Sequence, residues 1–353
     1  LGIWNGFFQA VLYTVLAIWC GKLKTKFNME NESNNYFFRE GINVLSLFDG
    51  MSCGQIALER CGIKVNNYFA SEIDKHAIKV TQHNYTQTKQ IGSVIDVQAN
   101  ELPKIDLLYG GSPCQGFSFS GKQLNFEDPR SKLFFEFVRL VKEVKPTYWI
   151  LENVKMKKEY QDVISQYLGV EPIEINSSLV SAQNRVRLYW ANFDITQPQD
   201  KNIGLSDILE DTEMISPSAI RGRRLNKATI LGRRLDDRGK RQDYNKEIPI
   251  TQCLEVRATN RNKSNCLTTV AKDNVLTTMD IGRHPNAFKD KLPFRYYTPI
   301  EYCRLQTVPE NYFDGVASEN QMRKMIGNGW TVDVIVDIFN QMVLQKPKSV
   351  GKK

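Results

Sequence analysis

Few folds accommodate the alternation that runs through residues 42–151. Short apolar runs at 43–48, 67–70, 105–109 and 148–151 are separated by stretches with helical spacing at 55–61, 75–83 and 132–145. Strands covered on both faces read as unbroken apolar runs, and parallel neighbours need a helix-length crossover between them. The spacing therefore predicts an α/β domain built on a doubly wound, mainly parallel sheet. Residues 174–179 and 186–193 read as two further strands with no long helix between them, which predicts antiparallel pairing at one edge.

Beyond Asp194 loops rich in Asn, Gln, Arg and Gly take over, with no helix-length periodicity until Thr298. A second, smaller and irregular domain is expected over 195–297. Helices over 298–345 then return to the first domain, ending in an amphipathic stretch at 331–344, and 346–353 form a basic tail. Gly222-Arg-Arg-Leu225 echoes Gly232-Arg-Arg-Leu235, and Leu267-Thr-Thr269 echoes Leu276-Thr-Thr278; these are either successive hairpin units or coincidence.

The net charge of +8 says little until it is located. Residues 215–275 hold 14 Lys/Arg against 6 Asp/Glu, so the surplus sits in the second domain. Residues 1–20 are almost wholly apolar and are followed by Lys22, Lys24 and Lys26, which resembles a membrane span with a positive flank. Met29 then opens a polar stretch. Residues 1–40 are read as an extension outside the fold, with a membrane anchor as the alternative. Seven scattered cysteines with no CxxC pair, and only three histidines, suggest neither a zinc site nor a disulfide framework.

The first strand runs through Phe48-Asp-Gly-Met-Ser-Cys-Gly54 into a helix, setting two glycines where backbone can approach a ligand at a helix N-terminus. A tight turn in any α/β protein reads the same way. Glu72 and Asp96 follow the second and third strands, at strand ends where such sheets bind ligands and a carboxylate can accept from ribose hydroxyls or an adenine amine. Singly, each is an ordinary solvated acid. The fourth strand ends in Gly110-Gly-Ser-Pro-Cys-Gln-Gly-Phe-Ser-Phe-Ser-Gly121. A cysteine beside an apolar strand is commonly a core residue, but Pro113 and Gln115 bracket Cys114 at a strand end, which predicts exposure in a cleft. The fifth strand ends in Trp149-Ile-Leu-Glu-Asn-Val154 and brings Glu152 to the same edge. A thiol and a carboxyl there suit covalent acid–base catalysis. In Gln183-Asn-Arg-Val-Arg187 alternation turns Arg185 and Arg187 to one face. Arginines on an edge strand are commonplace; facing the cleft, they could hold an anion or carbonyl and lower the cysteine pKa.

In this order the elements resemble the DNA cytosine-5 methyltransferases, over roughly residues 42–344. Pro113-Cys114-Gln115, Glu152-Asn153-Val154 and the Gln183/Arg185/Arg187 triplet carry the resemblance most specifically, joined by Thr298-Pro-Ile-Glu-Tyr-Cys-Arg-Leu-Gln306 and Ile326-Gly-Asn-Gly329. Phe48-Asp-Gly50 with Gly54 and Trp330 looks closer to the eukaryotic de novo subgroup, whereas the Pro-Cys-Gln-Gly loop and long basic segment look bacterial or phage-like.

The resemblance implies the Rossmann-like fold of methyltransferases dependent on S-adenosylmethionine (SAM), with a catalytic domain over 41–194 and a target-recognition domain over 195–297. It implies that Cys114 adds to carbon 6 of a flipped cytosine, Glu152 hydrogen-bonds N3 and the exocyclic amine, Arg187 holds O2, and Arg185 supports Cys114 and a nearby phosphate. SAM would lie against Phe48, Asp49, Gly50, Met51, Cys53 and Gly54, with Glu72 on its ribose, Ile73 and Val97 on the adenine faces, Asp96 on the adenine amine, and Asn328, Gly329 and Trp330 closing the site. Gln115, Ser118, Gln183, Arg221, Arg223, Arg233 and Arg234 are the expected DNA contacts. The partner implied is duplex DNA, with a cognate restriction endonuclease as a second one that such enzymes can have. A monomer without metal is expected, in the cytoplasm of a bacterium or phage-infected host. Of three other readings, a transfer-RNA methyltransferase lacks its branch's Cys-Phe-Thr run here. A non-catalytic DNA-binding regulator conflicts with the presence of Cys114, Glu152 and both arginines. An NAD-dependent oxidoreductase lacks its GxGxxG fingerprint.

Overall fold

The computed structural model describes residues 38–112, 129–210, 226–238, 240, 242–256, 263–270, 273–277, 286–287 and 294–348. Residues 1–37, which include the apolar N-terminal stretch, therefore lie outside the description, as do Cys114, Gln115, Ser118, Arg221 and Arg223. Among the described residues no helix is long and apolar enough to cross a membrane.

The chain alternates β1 (Ile42–Leu47), α1 (Cys53–Arg60), β2 (Val65–Ser71), α2 (Lys75–Asn84), β3 (Lys89–Gln90), β4 (Leu107–Gly111), α3 (Pro129–Val144), β5 (Tyr148–Val154), α4 (Lys158–Leu168), β6 (Ile173–Asn176) and β7 (Val186–Ala191). One seven-stranded sheet forms in the order β3-β2-β1-β4-β5-β7-β6. All neighbours are parallel except β7, which runs antiparallel to both β5 and β6, so the expected antiparallel edge is present. The expected doubly wound α/β fold is thus observed. The chain leaves β1 toward β2 and β3, then returns to place β4 on the other side, making the β1/β4 boundary the switch point where a crevice opens at the strand C-terminal ends.

Apolar runs become central strands because both faces are covered. Ile42, Val44 and Tyr109 belong to one buried cluster, shared with α1 and the C-terminal helices, while Leu45, Leu47 and Leu108 belong to another, shared with α3 and α4. Helix α4 went unread in the sequence, although Tyr160, Ile164, Tyr167 and Leu168 follow helical spacing. Gly169 at φ 72° ends it in a left-handed cap.

The segment expected to be irregular contains a second sheet, which corrects that expectation in part. Strands β8 (Asn226–Arg234), β9 (Ile250–Val256), β10 (Val275–Thr277), β11 (Asn286–Ala287) and β12 (Phe294–Tyr296) form an antiparallel sheet in the order β11-β9-β8-β10-β12. Three of these strands are too short to show a period, and β8 and β10 pair although some forty residues apart, so local pattern was silent. The Leu-Thr-Thr echo is coincidence: Leu267 and Thr268 lie in a loop, whereas Leu276 and Thr277 are in β10.

Helices α5 (Pro299–Gln306), α6 (Glu319–Asn328) and α7 (Val332–Val343) return to the first domain. Helix α5 starts at a capping box between Thr298 and Glu301 with Pro299 in its first turn, and α6 starts at one between Ser318 and Gln321. Helix α7 packs on α1 and buries Val332, Ile335, Ile338, Phe339 and Met342, the face expected from its spacing.

Candidate active site

A crevice of about 430 Å³ opens at the switch point. Its floor is the loop between β1 and α1, where Phe48, Gly50 and Ser52 all take positive φ, at 57°, 59° and 59°. Left-handed backbone at Phe48 and Ser52 is unfavourable and persists only where surroundings hold it. Here the Asp49 carboxylate does so, accepting from Ser46 Oγ at 2.6 Å, Tyr68 OH at 2.6 Å and Ser52 Oγ. Glu72 ties the loop to β2: its Oε2 accepts from Gly50 N at 2.7 Å, and its Oε1 from Ile73 N at 2.7 Å and Asp74 N at 2.8 Å. Gly54 is required by contact, since a Cβ there would lie 2.1 Å from the Tyr109 hydroxyl oxygen.

Burial pushes the Asp49 carboxyl up to about 6, against the pull of its three hydroxyl donors and with some help from Glu72. A carboxyl raised in the folded state contributes stability that is full below its unfolded value of 3.8 and is lost as pH rises through about 6. The wild-type protein should therefore lose stability relative to Asp49→Asn across that window, by up to ~1.4 kcal/mol per pH unit. Urea titrations at several pH values measure both slopes; equal slopes would remove Asp49 as the titrating group.

The far wall is built where β4 and β5 end. Gly111 pairs with Glu152 in the parallel register, and Asn153 Nδ2 donates to Ser112 Oγ at 3.0 Å, holding the two strand ends together. The Glu152 carboxylate is 8% exposed; Arg187 Nε lies 3.0 Å from Oε1 and Trp330 Nε1 donates to Oε2 at 3.0 Å. Arg187 Nη1 donates to the carbonyl of Val186.

Ten of the thirteen residues expected at SAM line this crevice: Phe48, Asp49, Gly50, Met51, Cys53, Gly54, Glu72, Asn328, Gly329 and Trp330. Glu152, Arg185 and Arg187 line it too. Ile73, Asp96 and Val97 do not: Ile73 and Asp96 are exposed beyond its rim, and Val97 is buried in the core under β1 and β4. Val97 is 4% exposed and belongs to the buried cluster that also holds Phe137 and Val138.

Two expectations at the Gln183 segment are revised. Gln183, expected at DNA, has no exposed surface; its Nε2 donates to Leu305 O and Gln306 Oε1, and its Oε1 accepts from Leu267 N at 2.7 Å. Arg185, expected beside a phosphate, is 2% exposed. Its Nη1 donates to Leu267 O at 3.1 Å, and its Nη2 to Gly327 O at 3.1 Å and Gly329 O at 2.8 Å. Burial, then the nearby Arg187, press its pKa down. The hub continues through Gln306, which the sequence offered only as part of a motif: its Nε2 donates to Ile326 O and Gly329 O, and its Oε1 accepts from Thr331 Oγ1.

The second domain is fastened at this same hub. Lys263 Nζ, unremarked in the sequence, donates to the carbonyls of Ser178, Ser181 and Ile203 at 2.6, 3.0 and 2.5 Å, while Ser264 N donates to Ala182 O. Of the arginines expected to read DNA, Arg233 pairs with Asp243 at 3.3 Å, and Arg234 Nη1 donates to the carbonyls of Lys246 and Ile248. Both side chains brace the β8–β9 connection. Guanidinium groups meet partners within their own hairpin, which composition could not reveal.

The C-5 cytosine-specific DNA methylase family model matches residues 42–168 and 175–344. The type II methyltransferase M1.ScrFI of Lactococcus lactis subsp. cremoris is 30% identical over 336 residues, covering 86% of this chain and 79% of the relative. The type II methyltransferase M.HhaI of Haemophilus parahaemolyticus is 31% identical over 189 residues, covering 48% of this chain and 57% of that protein. In fold, a mutant of Spodoptera frugiperda DNMT2 superposes with a TM-score of 0.59 at 18% identity, over 86% of this chain and 99% of its own. A putative DNA modification methyltransferase from an Escherichia coli prophage does so at 0.54 and 19%, over 86% and 99%. With the family's match spanning both domains and the C-terminal helices, this chain belongs to the C-5 cytosine-specific DNA methylase family.

Proposed function

We propose that this cytosine-5 DNA methyltransferase performs its reaction in the crevice at the β1/β4 switch point, with SAM over the β1–α1 loop and the target base at Glu152. One observation carries the assignment: the glycine loop, Glu72 and the doubly held Glu152 carboxylate face a single cavity. The residues present fit SAM at its methionine and ribose end. Gly50 leaves room for close approach, and Glu72 Oε2, which accepts only Gly50 N, keeps a lone pair for a ribose hydroxyl, while Oε1 is filled by the N–H groups of Ile73 and Asp74. Ile73 and Asp96 stand outside the cavity, where an adenine would lie on an open shelf.

When bound, SAM supplies an electrophilic methyl carbon. The thiolate of Cys114 forms a bond to carbon 6 of cytosine, which makes carbon 5 nucleophilic. Carbon 5 takes the methyl group while the bonding pair stays on the donor's sulfur, then passes its proton to solvent, and the electron pair left by that proton re-forms the 5,6 double bond as the bond from carbon 6 to the Cys114 sulfur breaks. Glu152 accepts from the exocyclic amine and shares a proton with N3, where charge accumulates. Arg187 is oriented through Nε and Nη1, leaving Nη2 for the cytosine O2. Arg185 acts as a strut between the second domain and the segment after α6. Since a stacked base is out of reach of the thiol, the nucleotide must rotate out of the duplex.

The division of labour follows the domains: 41–194 with 298–345 carry chemistry, and 195–297 carry recognition, in a monomer that needs no metal. The basic surplus in 215–275 supports phosphate contact there, and a cognate restriction endonuclease would share the recognised site. Bisulfite sequencing of DNA from a host expressing the chain should show conversion-resistant cytosines in one sequence context. No protected cytosine in DNA, or protection confined to transfer RNA, would overturn the assignment.

A further inference from the structure

Trp330 was expected only as part of the cofactor pocket, yet its polar atom faces the other way. Indole Nε1 donates to Glu152 Oε2 at 3.0 Å, while Arg187 Nε reaches Oε1 at 3.0 Å. The N–H donor and the ion-paired guanidinium come from different elements, the segment after α6 and strand β7, so together they hold both oxygens of the carboxylate. The space is closed on a third side by Gly111, where a Cβ would stand 2.8 Å from Glu152 Oε2 and 3.0 Å from Trp330 Nε1. The indole is itself preset. Its ring packs on Tyr109 at 5.5 Å between centroids, and its neighbours are pinned: Gly329 O accepts from Arg185 and Gln306, and Thr331 Oγ1 donates to Gln306 and accepts from Ser177 Oγ.

We infer that Trp330 is a positioning residue for Glu152: its N–H holds the carboxylate in the orientation that meets the base edge, while its ring merely walls the cofactor side. The inference rests on the reading of Glu152 given above. A carboxylate gripped at one oxygen alone could rotate about its last torsion, which is broad for an sp³–sp² bond, and would spend much of its time misaligned. Small losses of alignment at a reacting group cost rate rather than binding.

The test separates the N–H from the ring. Trp330→Phe removes both the donor and part of the ring; Trp330→benzothienylalanine keeps the bicyclic shape and removes only the donor. In the full chain, both should lower kcat by about 10- to 100-fold, the range of a hydrogen bond to a charged group. SAM affinity by calorimetry and KM for duplex DNA should stay within about twofold for the benzothienylalanine variant, which relies on ring contact alone for cofactor packing. Wild-type kcat in that variant, or a loss confined to SAM affinity, would overturn the inference and leave the reading of Glu152 standing. Failure of the wild-type protein to form a covalent adduct with a duplex carrying 5-fluorocytosine would instead remove that reading, and the inference with it.

Discussion

Cys114→Ser should abolish methyl transfer while leaving SAM affinity within about twofold of wild type. A thiol near its ordinary pKa is a few per cent thiolate at neutral pH and intrinsically nucleophilic, whereas a serine hydroxyl is activated only by a dedicated base. Glu152 is held by Arg187 and Trp330 and, in the mechanism proposed above, serves the base edge. Transfer of labelled methyl groups to duplex DNA should fall by at least about a thousandfold, in line with losing the nucleophile of a covalent mechanism. The proposed cofactor floor, the β1–α1 loop and Glu72, lies on other strands, so calorimetry should register little change. Turnover by the serine variant near the wild-type rate would sink the covalent mechanism.

The second large effect is on stability and activity together. Arg185→Met keeps much of the side-chain volume but deprives the carbonyls of Leu267, Gly327 and Gly329 of a donor; Gly329 O retains Gln306, while the other two lose a charged partner in a dry site. A buried acceptor left without its partner costs about 1–3 kcal/mol, so unfolding free energy should fall by about 2–5 kcal/mol. Arg185→Lys should not restore it, because one ammonium cannot reproduce a planar fork aimed at three carbonyls. Activity should fall further than the folded fraction does, since Gly329 precedes Trp330 and Leu267 belongs to the second domain. A urea midpoint equal to wild type would show that the hub is not where the two domains are joined.

Much of this was legible along the chain. The strand–helix alternation, the antiparallel edge at β7 and the face of α7 follow from periods that repeat within one element, and Glu152 and Glu72 were found because strand ends in such sheets gather at one edge. That the β1–α1 loop lines the crevice was legible for a similar reason: a strand–glycine–helix turn has few ways to be built.

The same rules did not reveal the partners of Gln183, Arg233 and Arg234 or the burial of Val97. Alternation states which residues share a face, not whether that face meets solvent, DNA or another segment. Gln183 is buried because Leu305 and Gln306, more than a hundred residues later, close over it. Arg233 and Arg234 are drawn into their own hairpin by Asp243 and by carbonyls whose direction depends on the turn. Trp330 reaches Glu152 across 178 residues of chain. Residue types and local periods therefore settled the sheet and which side chains gather at the edge where the crevice opens. The partners of each polar group were settled by elements distant in sequence folding against one another, because a hydrogen bond depends on direction and distance in space, and neither is encoded by spacing along the chain.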